Sequence, residues 1–311
     1  MKEVIFIEAM HLKYFIKDNS FPFFIHYGGH EEDGMFVHNH EDFSELVIVI
    51  DGSALHIVDS DTYPISKGDV FVINKNTSHG YMNPDNFKIC NIMFRLDDIF
   101  NSDNDITKSE GFHALFIIEP NLTRVHTYQS KLKLTMSELD YVLNILGLMV
   151  NEFNNNRSGR KTMLVSLFMN LLVTLSRNYE LPNSDLSSNI SAINIAKSVS
   201  FIENHFSEKI TIKQLADISF MSKRHFARVF YDNYKITPSS YITNVRMLHS
   251  KQLLKNTLQP IGEIAWQCGY LDPNFFIRKF KKINGITPGE YRKSIDIIDK
   301  HAKGNVPNLD W

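Results

Sequence analysis

Between Phe21 and Phe94 the hydrophobic positions fall in short runs: FPFFIHY, GMFVHNH, ELVIVI, ALHIVD, TYPI, DVFVIN and FKICNIMF. Turn-forming pairs (Gly28-Gly29, Asp51-Gly52, Lys67-Gly68 and Asn83-Pro84) interrupt them about every ten residues. Such spacing predicts short antiparallel strands that close into a barrel or sandwich.

The period then changes from strand-like to helical. Leu139, Val142, Leu143, Leu146, Met149, Val150 and Phe153 recur every three to four positions, behind a Thr135-x-x-Glu138 capping box. After the polar break Asn154–Gly159, a second apolar face is predicted from Met163, Leu164, Leu167, Phe168, Leu171, Leu172 and Leu175. These faces are wide enough to predict a helix pair that packs on the barrel and also buries against a second subunit. Asn178–Asn189 (NYELPNSDLSSN) is poor in apolar residues and reads as a linker.

In the last third the pattern repeats itself. Leu215-Ala216 matches Ile264-Ala265 at an offset of 49. Phe226, Arg228 and Phe230 match Phe276, Arg278 and Phe280 at an offset of 50, which implies one extra residue in the second turn. Ile-Thr-Pro recurs at Ile236 and Ile286, each followed by a tyrosine, Tyr241 or Tyr291. Each copy reads as helix, tight turn, helix, and Ser239–Lys255 supplies a helix between them. Thr211 begins a T-x-x-Q cap, Asp272 is a good N-cap, and Pro273 follows at a position where its missing N–H costs nothing. The helical period assigns Phe226, Phe230, Phe275, Phe276, Phe280 and Trp266 to the core.

Charge separates the two ends. Residues 1–190 hold 15 Lys+Arg against 25 Asp+Glu, a balance of −10, whereas residues 191–303 hold 18 against 9, a balance of +9. With Asp310 the sum is the net −2 of the chain. A basic module joined to an acidic one suits a regulator with a nucleic-acid end. Two cysteines make neither a disulfide framework nor a zinc-finger spacing, so a reducing cytoplasm is expected. No run reads as a signal peptide or a membrane span.

One constellation in the strand region carries chemistry: Gly34, His38, His40, Glu45 and Gly52, then Gly68, His79 and Asn83. It resembles the cupin family, whose first motif is Gly-x-His-x-His, then Glu, then Gly. The second cupin motif carries a Pro-x-Gly turn, and Asn74-Lys75-Asn76 stands there instead. His38, His40, Glu45 and His79 offer three imidazoles and a carboxylate, which suit Fe, Mn, Ni or Zn. Equally, they can line a metal-free polar pocket, and that is the expectation: no cofactor, with His38, His40, Glu45, His79 and Tyr81 binding an organic effector. Phe36, Phe43, Phe71, Tyr63 and Tyr81 are expected in the core, one aromatic wall of which can serve a sugar site.

The duplicated helix-turn-helix, with its GITPGEYR run, resembles the AraC/XylS family of transcription regulators across Asn194–Lys293. Barrel, helix pair and double helix-turn-helix follow in the order of that family. The run HNHEDFSELVIVIDGSALHIVDSDTYPISKGDVFVINKNTSHGY further resembles the sensor domain of its L-rhamnose regulators. The fold class implied is a multidomain α+β protein. Its expected parts are a cupin-like ligand-sensing barrel at 1–130, a helical dimerisation segment at 131–177, a linker at 178–191 and a double helix-turn-helix at 192–297. The resemblance implies an activator whose partners are promoter DNA, RNA polymerase and a sugar effector such as L-rhamnose, acting as a homodimer. Lys223, Arg224, His225 and Arg228 are expected to reach one major groove, and Asn274, Arg278 and Lys279 the next. Lys281, Lys282 and the helix starts at Ser222 and Asp272 are expected on phosphates. The rival is a metal-dependent cupin enzyme acting on a sugar. It would have no use for a duplicated basic tail, and no clear acid/base pair stands beyond the four pocket residues.

Overall fold

The computed structural model describes residues 9–16, 21–29, 37–59, 61–95, 104–122, 132–180 and 190–294. Gly34 and Phe36 lie outside the described residues, as do 181–189 of the expected linker. The chain divides into two compact units between Ser200 and Phe201.

The first unit is built on a seven-stranded sheet: β1 (Phe23–Gly29), β2 (His38–Asn39), β3 (Ser44–Val58), β4 (Asp61–Ser66), β5 (Asp69–Ile73), β6 (Ser78–Phe94) and β7 (Leu132–Lys133). Its order is β1-β6-β3-β5-β7, with β2 on β6 and β4 on β3, and each pairing is antiparallel. Three expected turn pairs are strand residues, and of these Gly28-Gly29 ends β1 opposite Ile89 and Lys88. Asp51-Gly52 lies inside β3, which merges the runs ELVIVI and ALHIVD, and Asn83-Pro84 lies inside β6, which extends FKICNIMF back to Ser78. The register slips between Val49 and Leu55, Gly52 has φ of 67°, and Asn83 and Asn86 have φ of 52° and 48°. Glycine and asparagine here supply bulges that bend a continuous strand rather than end it. A Cβ on Gly52 would stand 2.2 Å from the backbone oxygens of Asp85 and Asn86, so only glycine fits this corner. Lys67-Gly68 is a true turn between β4 and β5, with Gly68 at φ 90°.

Alternation along the bent strands puts Val47, Val49, Ala54, Val58, Ile65, Phe71, Ile73, Phe87 and Ile89 into one buried cluster. Two long helices follow, α1 (Met136–Asn154) and α2 (Arg160–Glu180). The capping box at Thr135 forms: its hydroxyl accepts from Glu138 N, and Glu138 Oε2 accepts from Thr135 N at 2.7 Å. In α2 the ring of Phe168 packs 5.3 Å from Phe23 and 5.1 Å from Phe94, which fixes that helix on the sheet. Burying a side chain of that size stabilises by about 1.5–3 kcal/mol. Met163, expected on the apolar face, is 51% exposed. Leu164 and Phe168 take the buried stripe, and Met163 sits one position off it. Helix α2 runs through Glu180, so the first residues of the expected linker are helical.

Helix α3 (Ile190–His205) spans the division, with its residues up to Ser200 in the first unit and those from Phe201 in the second. There α4 (Ile212–Ile218) and α5 (Lys223–Tyr234) form the first hairpin, α6 (Pro238–Asn256) the connecting helix, and α7 (Ile261–Gln267) with α8 (Pro273–Asn284) the second. Side chains of Thr211, Ser222, Thr237 and Asp272 each accept a backbone N–H at the start of a helix. Met221 N bonds Ala216 O as Tyr270 N bonds Ala265 O, so the extra residue of the second turn is Leu271. It is 98% exposed and disturbs no packing. From α6, Arg246 donates to Phe206 O and Glu208 O, at 2.7 Å each, and lies over the Tyr270 ring. One side chain thus holds the second hairpin to the chain that precedes the first.

Candidate functional site

Strand pairing assembles the polar cluster of the barrel. His38 on β2 stands opposite His79 on β6. His40 follows two positions on, stacked on Phe43 at 4.3 Å, and Glu45 lies at the start of β3. His40 Nε2 is 3.2 Å from His79 Nε2, and Glu45 Oε2 is 3.5 Å from the first and 3.3 Å from the second. The rings of His38 and His79 are 4.3 Å apart. His40, Glu45, His79 and Tyr81 are buried, whereas His38 is half-buried at the edge.

Burial sets the protonation of this cluster. It lowers His40 to about 3, with the nearby His38 adding to the effect, and drives His79 down for the same reasons. It raises Glu45 to about 8. At neutral pH the imidazoles are uncharged and Glu45 holds its proton, so the buried group carries no net charge.

The donor set fits a transition metal. One ligand atom from each of His38, His40, Glu45 and His79 lies within 4.8 Å of the others. Ligand atoms bonded at about 2.0–2.2 Å to one tetrahedral ion stand about 3.3–3.6 Å apart. The three closest donors, 3.2–3.5 Å apart, come close to that spacing.

His56 belongs to the same interior and was not singled out by the motif. Its ring stacks on Tyr81 at 5.0 Å, contacts Tyr63 and Phe71, and lies 5.8 Å from His79. It also lines a small cavity with Tyr63, Phe71, Thr77 and Glu119. The available signal was alternation: Ala54, His56 and Val58 are buried between more exposed neighbours on β3, so a polar residue occupies an interior position. Glu119 accepts a hydrogen bond from the Tyr179 hydroxyl near the end of α2. The cavity wall is therefore tied to that helix.

In the second unit Lys223, Arg224, His225 and Arg228 are exposed on α5, while Phe226 and Phe230 are buried beneath them. Arg228 Nη2 donates to His225 Nδ1 at 3.2 Å, which orders both side chains on the surface. On α8 Asn274 and Arg278 are exposed, Lys279 is half-buried, and Phe276 and Phe280 are in the core. Two core assignments fail. Phe275 is 48% exposed and Trp266 is 60% exposed. Phe276 and Phe280 define the α8 core stripe, so Phe275 turns toward the Arg278 face. In α7, Ile264 and Ala265 turn inward and Trp266 faces out. Both units have their cysteine buried, Cys90 and Cys268. No helix among the described residues is long and apolar enough to cross a membrane.

A strand-built domain followed along the chain by a paired helix-turn-helix is the architecture of a DNA-binding regulator. Comparison with known proteins agrees. A cupin domain model matches residues 23–93, and a helix-turn-helix domain model matches residues 215–294. HTH-type transcriptional activator RhaS of Enterobacter sp. (strain 638) is 28% identical over 261 residues, 84% of this chain and 89% of that protein. RhaS of Escherichia fergusonii is 28% identical over 267 residues, 85% of this chain and 90% of that protein. Among solved structures, the DNA-binding domain of AdpA in complex with a target DNA is 27% identical, covering 32% of this chain and 91% of that one, with a TM-score of 0.32. Over most of its length the chain is thus similar to regulators of the AraC/XylS family, of the rhamnose-regulator type.

Proposed function

We propose that this protein activates transcription of sugar-utilisation genes when a sugar, L-rhamnose as the leading candidate, occupies the barrel. The observation that carries the reading is the matched pair of exposed arginines, Arg228 and Arg278, at equivalent places on two capped helices, each with its phenylalanine pair underneath. Arg228 with Lys223, Arg224 and His225 reads one major groove. Arg278 with Asn274 and Lys279 reads the next on the same face of the duplex. Phe275 adds an exposed apolar group beside them that can meet a thymine methyl.

In this reading His56, Tyr81, His79, His40 and Glu45 receive the sugar, and His38 stands at the edge of the pocket. The Glu119–Tyr179 hydrogen bond supports a route from the cavity wall to α2, whose chain leads on to the DNA-binding unit. A ligand that binds unequally to two arrangements of this contact shifts the balance between them. Tyr141 and Leu148 on α1, exposed by 50% and 56%, and Met163 on α2 suit a face that a second subunit covers in a homodimer. RNA polymerase is the further partner of an activator, and the site of action is the cytoplasm. The protein is not an enzyme in this reading.

The test is a thermal-shift screen of the full chain against monosaccharides, followed by promoter-fragment binding with and without each hit. L-rhamnose should raise the melting temperature by mass action and alter DNA binding. Failure of every sugar to shift the melt overturns the sugar reading.

The spacing of Glu45, His40 and His79 favours a second reading, in which these residues with His38 hold a transition-metal ion in the pocket. The ion would supply a Lewis-acidic point for a sugar hydroxyl. Metal analysis of purified protein distinguishes the two readings.

A further inference from the structure

Beyond the barrel interior and the DNA-binding helices lies a larger cavity, of about 670 Å³, which neither role uses. It lies between the N-terminal segment, β1 and the loop from α1 to α2, and five phenylalanines line it. Phe24 meets Phe153 edge-on at 5.5 Å and is 5.5 Å from Phe15, so three rings form a continuous aromatic wall. Arg157, Arg160 and Lys161 line it too, and no carboxylate lines the cavity among the described residues. That composition departs from its surroundings, because residues 1–190 carry 25 acidic against 15 basic side chains.

Arg160 gives the cavity its direction. Its guanidinium lies 5.3 Å over the Phe153 ring, and its buried Nε has no hydrogen-bond partner among the described residues. A buried N–H on a cation is costly to leave unsatisfied, so the site favours an acceptor of opposite charge. Arg160, Lys161 and Thr162 also form the first turn of the 21-residue helix α2, where the helix dipole favours an anion too. The volume falls in the range of about 300–1,000 Å³ typical of small-molecule sites. Phosphate alone would leave the aromatic wall uncovered, and a neutral hydrocarbon would leave the arginines without a partner.

We infer that this cavity is a second effector site, for an amphipathic organic anion with a flat aromatic body and a carboxylate head. The body lies against Phe15, Phe24 and Phe153, and the head meets Arg157 and Arg160. This site is independent of the sugar reading of the barrel. Because it touches the N-terminal segment, the sheet and the helical hairpin together, its occupant ties three elements of the sensor unit to one another.

The experiment is calorimetric titration of the full chain with 2-naphthoate and with its neutral analogue 2-naphthalenemethanol. The naphthoate should bind at least about tenfold more tightly than the alcohol. Arg157→Gln/Arg160→Gln should remove that preference and leave the alcohol affinity and the promoter affinity as in the parent. Circular dichroism checks that the variant folds. If the double variant unfolds, Arg157→Gln alone, at an exposed position, should still cut the preference. Equal affinity for acid and alcohol, no binding to the parent, or unchanged naphthoate binding in a folded variant overturns the proposal. So does a variant that alters only the oligomeric state, since the face would then be covered by a second copy.

Discussion

His40 Nε2 and His79 Nε2 stand 3.2 Å apart and buried, and Glu45 Oε2 lies within 3.5 Å of both. Two imidazoles and a carboxyl at this separation can share protons or share an ion. With shared protons, one ring nitrogen donates to the other and Glu45 stays neutral, as its raised pKa favours. With an ion, Glu45 loses its proton.

The two cases separate by titration. In chelator, the folded Glu45 carboxyl titrates at about 8 against 4.5 when unfolded. Its stabilising share is therefore complete below pH 4.5 and is lost as pH rises toward 8. Glu45→Gln should melt progressively higher than the parent over that interval in scanning calorimetry. Zinc or manganese added at pH 7 should raise the parent melting temperature and release close to one proton, read by calorimetry in buffers of different ionisation enthalpy. Glu45→Gln should show neither response. An ion that leaves the parent melt unchanged removes the metal reading.

For the DNA-binding unit, Arg228→Ala and Arg278→Ala are expected each to lose about 1–3 kcal/mol of discrimination between promoter and unrelated duplex. The measurement is anisotropy against both duplexes at several salt concentrations. Lys281→Ala should instead weaken both duplexes alike and flatten the salt dependence. Two arginine variants that bind like the parent would remove the assignment of α5 and α8 as the reading helices.

Much of this was legible because local chemistry and fold agree. The caps at Ser222 and Asp272, the paired phenylalanines and the Ile-Thr-Pro stops mark each hairpin through short-range rules. His38, His40, Glu45 and His79 were legible as a motif, and strand pairing brings them together. Gly52 and Asn83 read as turns in sequence because the same positive-φ residues serve turns and bulges, and only the partner strand decides between them. Phe275 and Trp266 read as core in sequence because an apolar residue one position off a helical stripe still looks apolar. His56 carries no motif, and its place is set by Tyr63 and Tyr81 across two strand pairings.

The two hairpins make a matched prediction about backbone strain. Phe220 and Gly269 are equivalent by their turn hydrogen bonds, and both have positive φ, 54° and 76°. A Cβ on Gly269 would come 2.7 Å from Ser207 O and 2.9 Å from Phe206 O, the carbonyl that Arg246 also binds. Gly269→Ala should therefore destabilise by about 1–3 kcal/mol in urea unfolding. Phe220 is 81% exposed, so Phe220→Gly loses little packing and relieves an unfavourable left-handed residue worth about 1–2 kcal/mol. That variant should be neutral or slightly more stable. Equal destabilisation by both would break the equivalence.

Acid should act on the first unit through His113. This side chain is buried, and its Nε2 donates to Thr107 O at 2.6 Å. Burial lowers its pKa from 6.5 to about 4, against the opposing pull of that hydrogen bond. The folded state then binds fewer protons than the unfolded state between those values. Its share of stability is complete above pH 6.5 and is lost as pH falls toward 4, by a total of about 3 kcal/mol. His40 and His79 shift in the same direction, so the parent alone cannot assign the loss. The difference between parent and His113→Gln does, because glutamine keeps a donor for Thr107 O and does not titrate. The gap in unfolding free energy at pH 7.5 should narrow or reverse by pH 4.5, read by urea unfolding at fixed salt. A gap that stays constant across that range would mean His113 titrates normally in the folded protein.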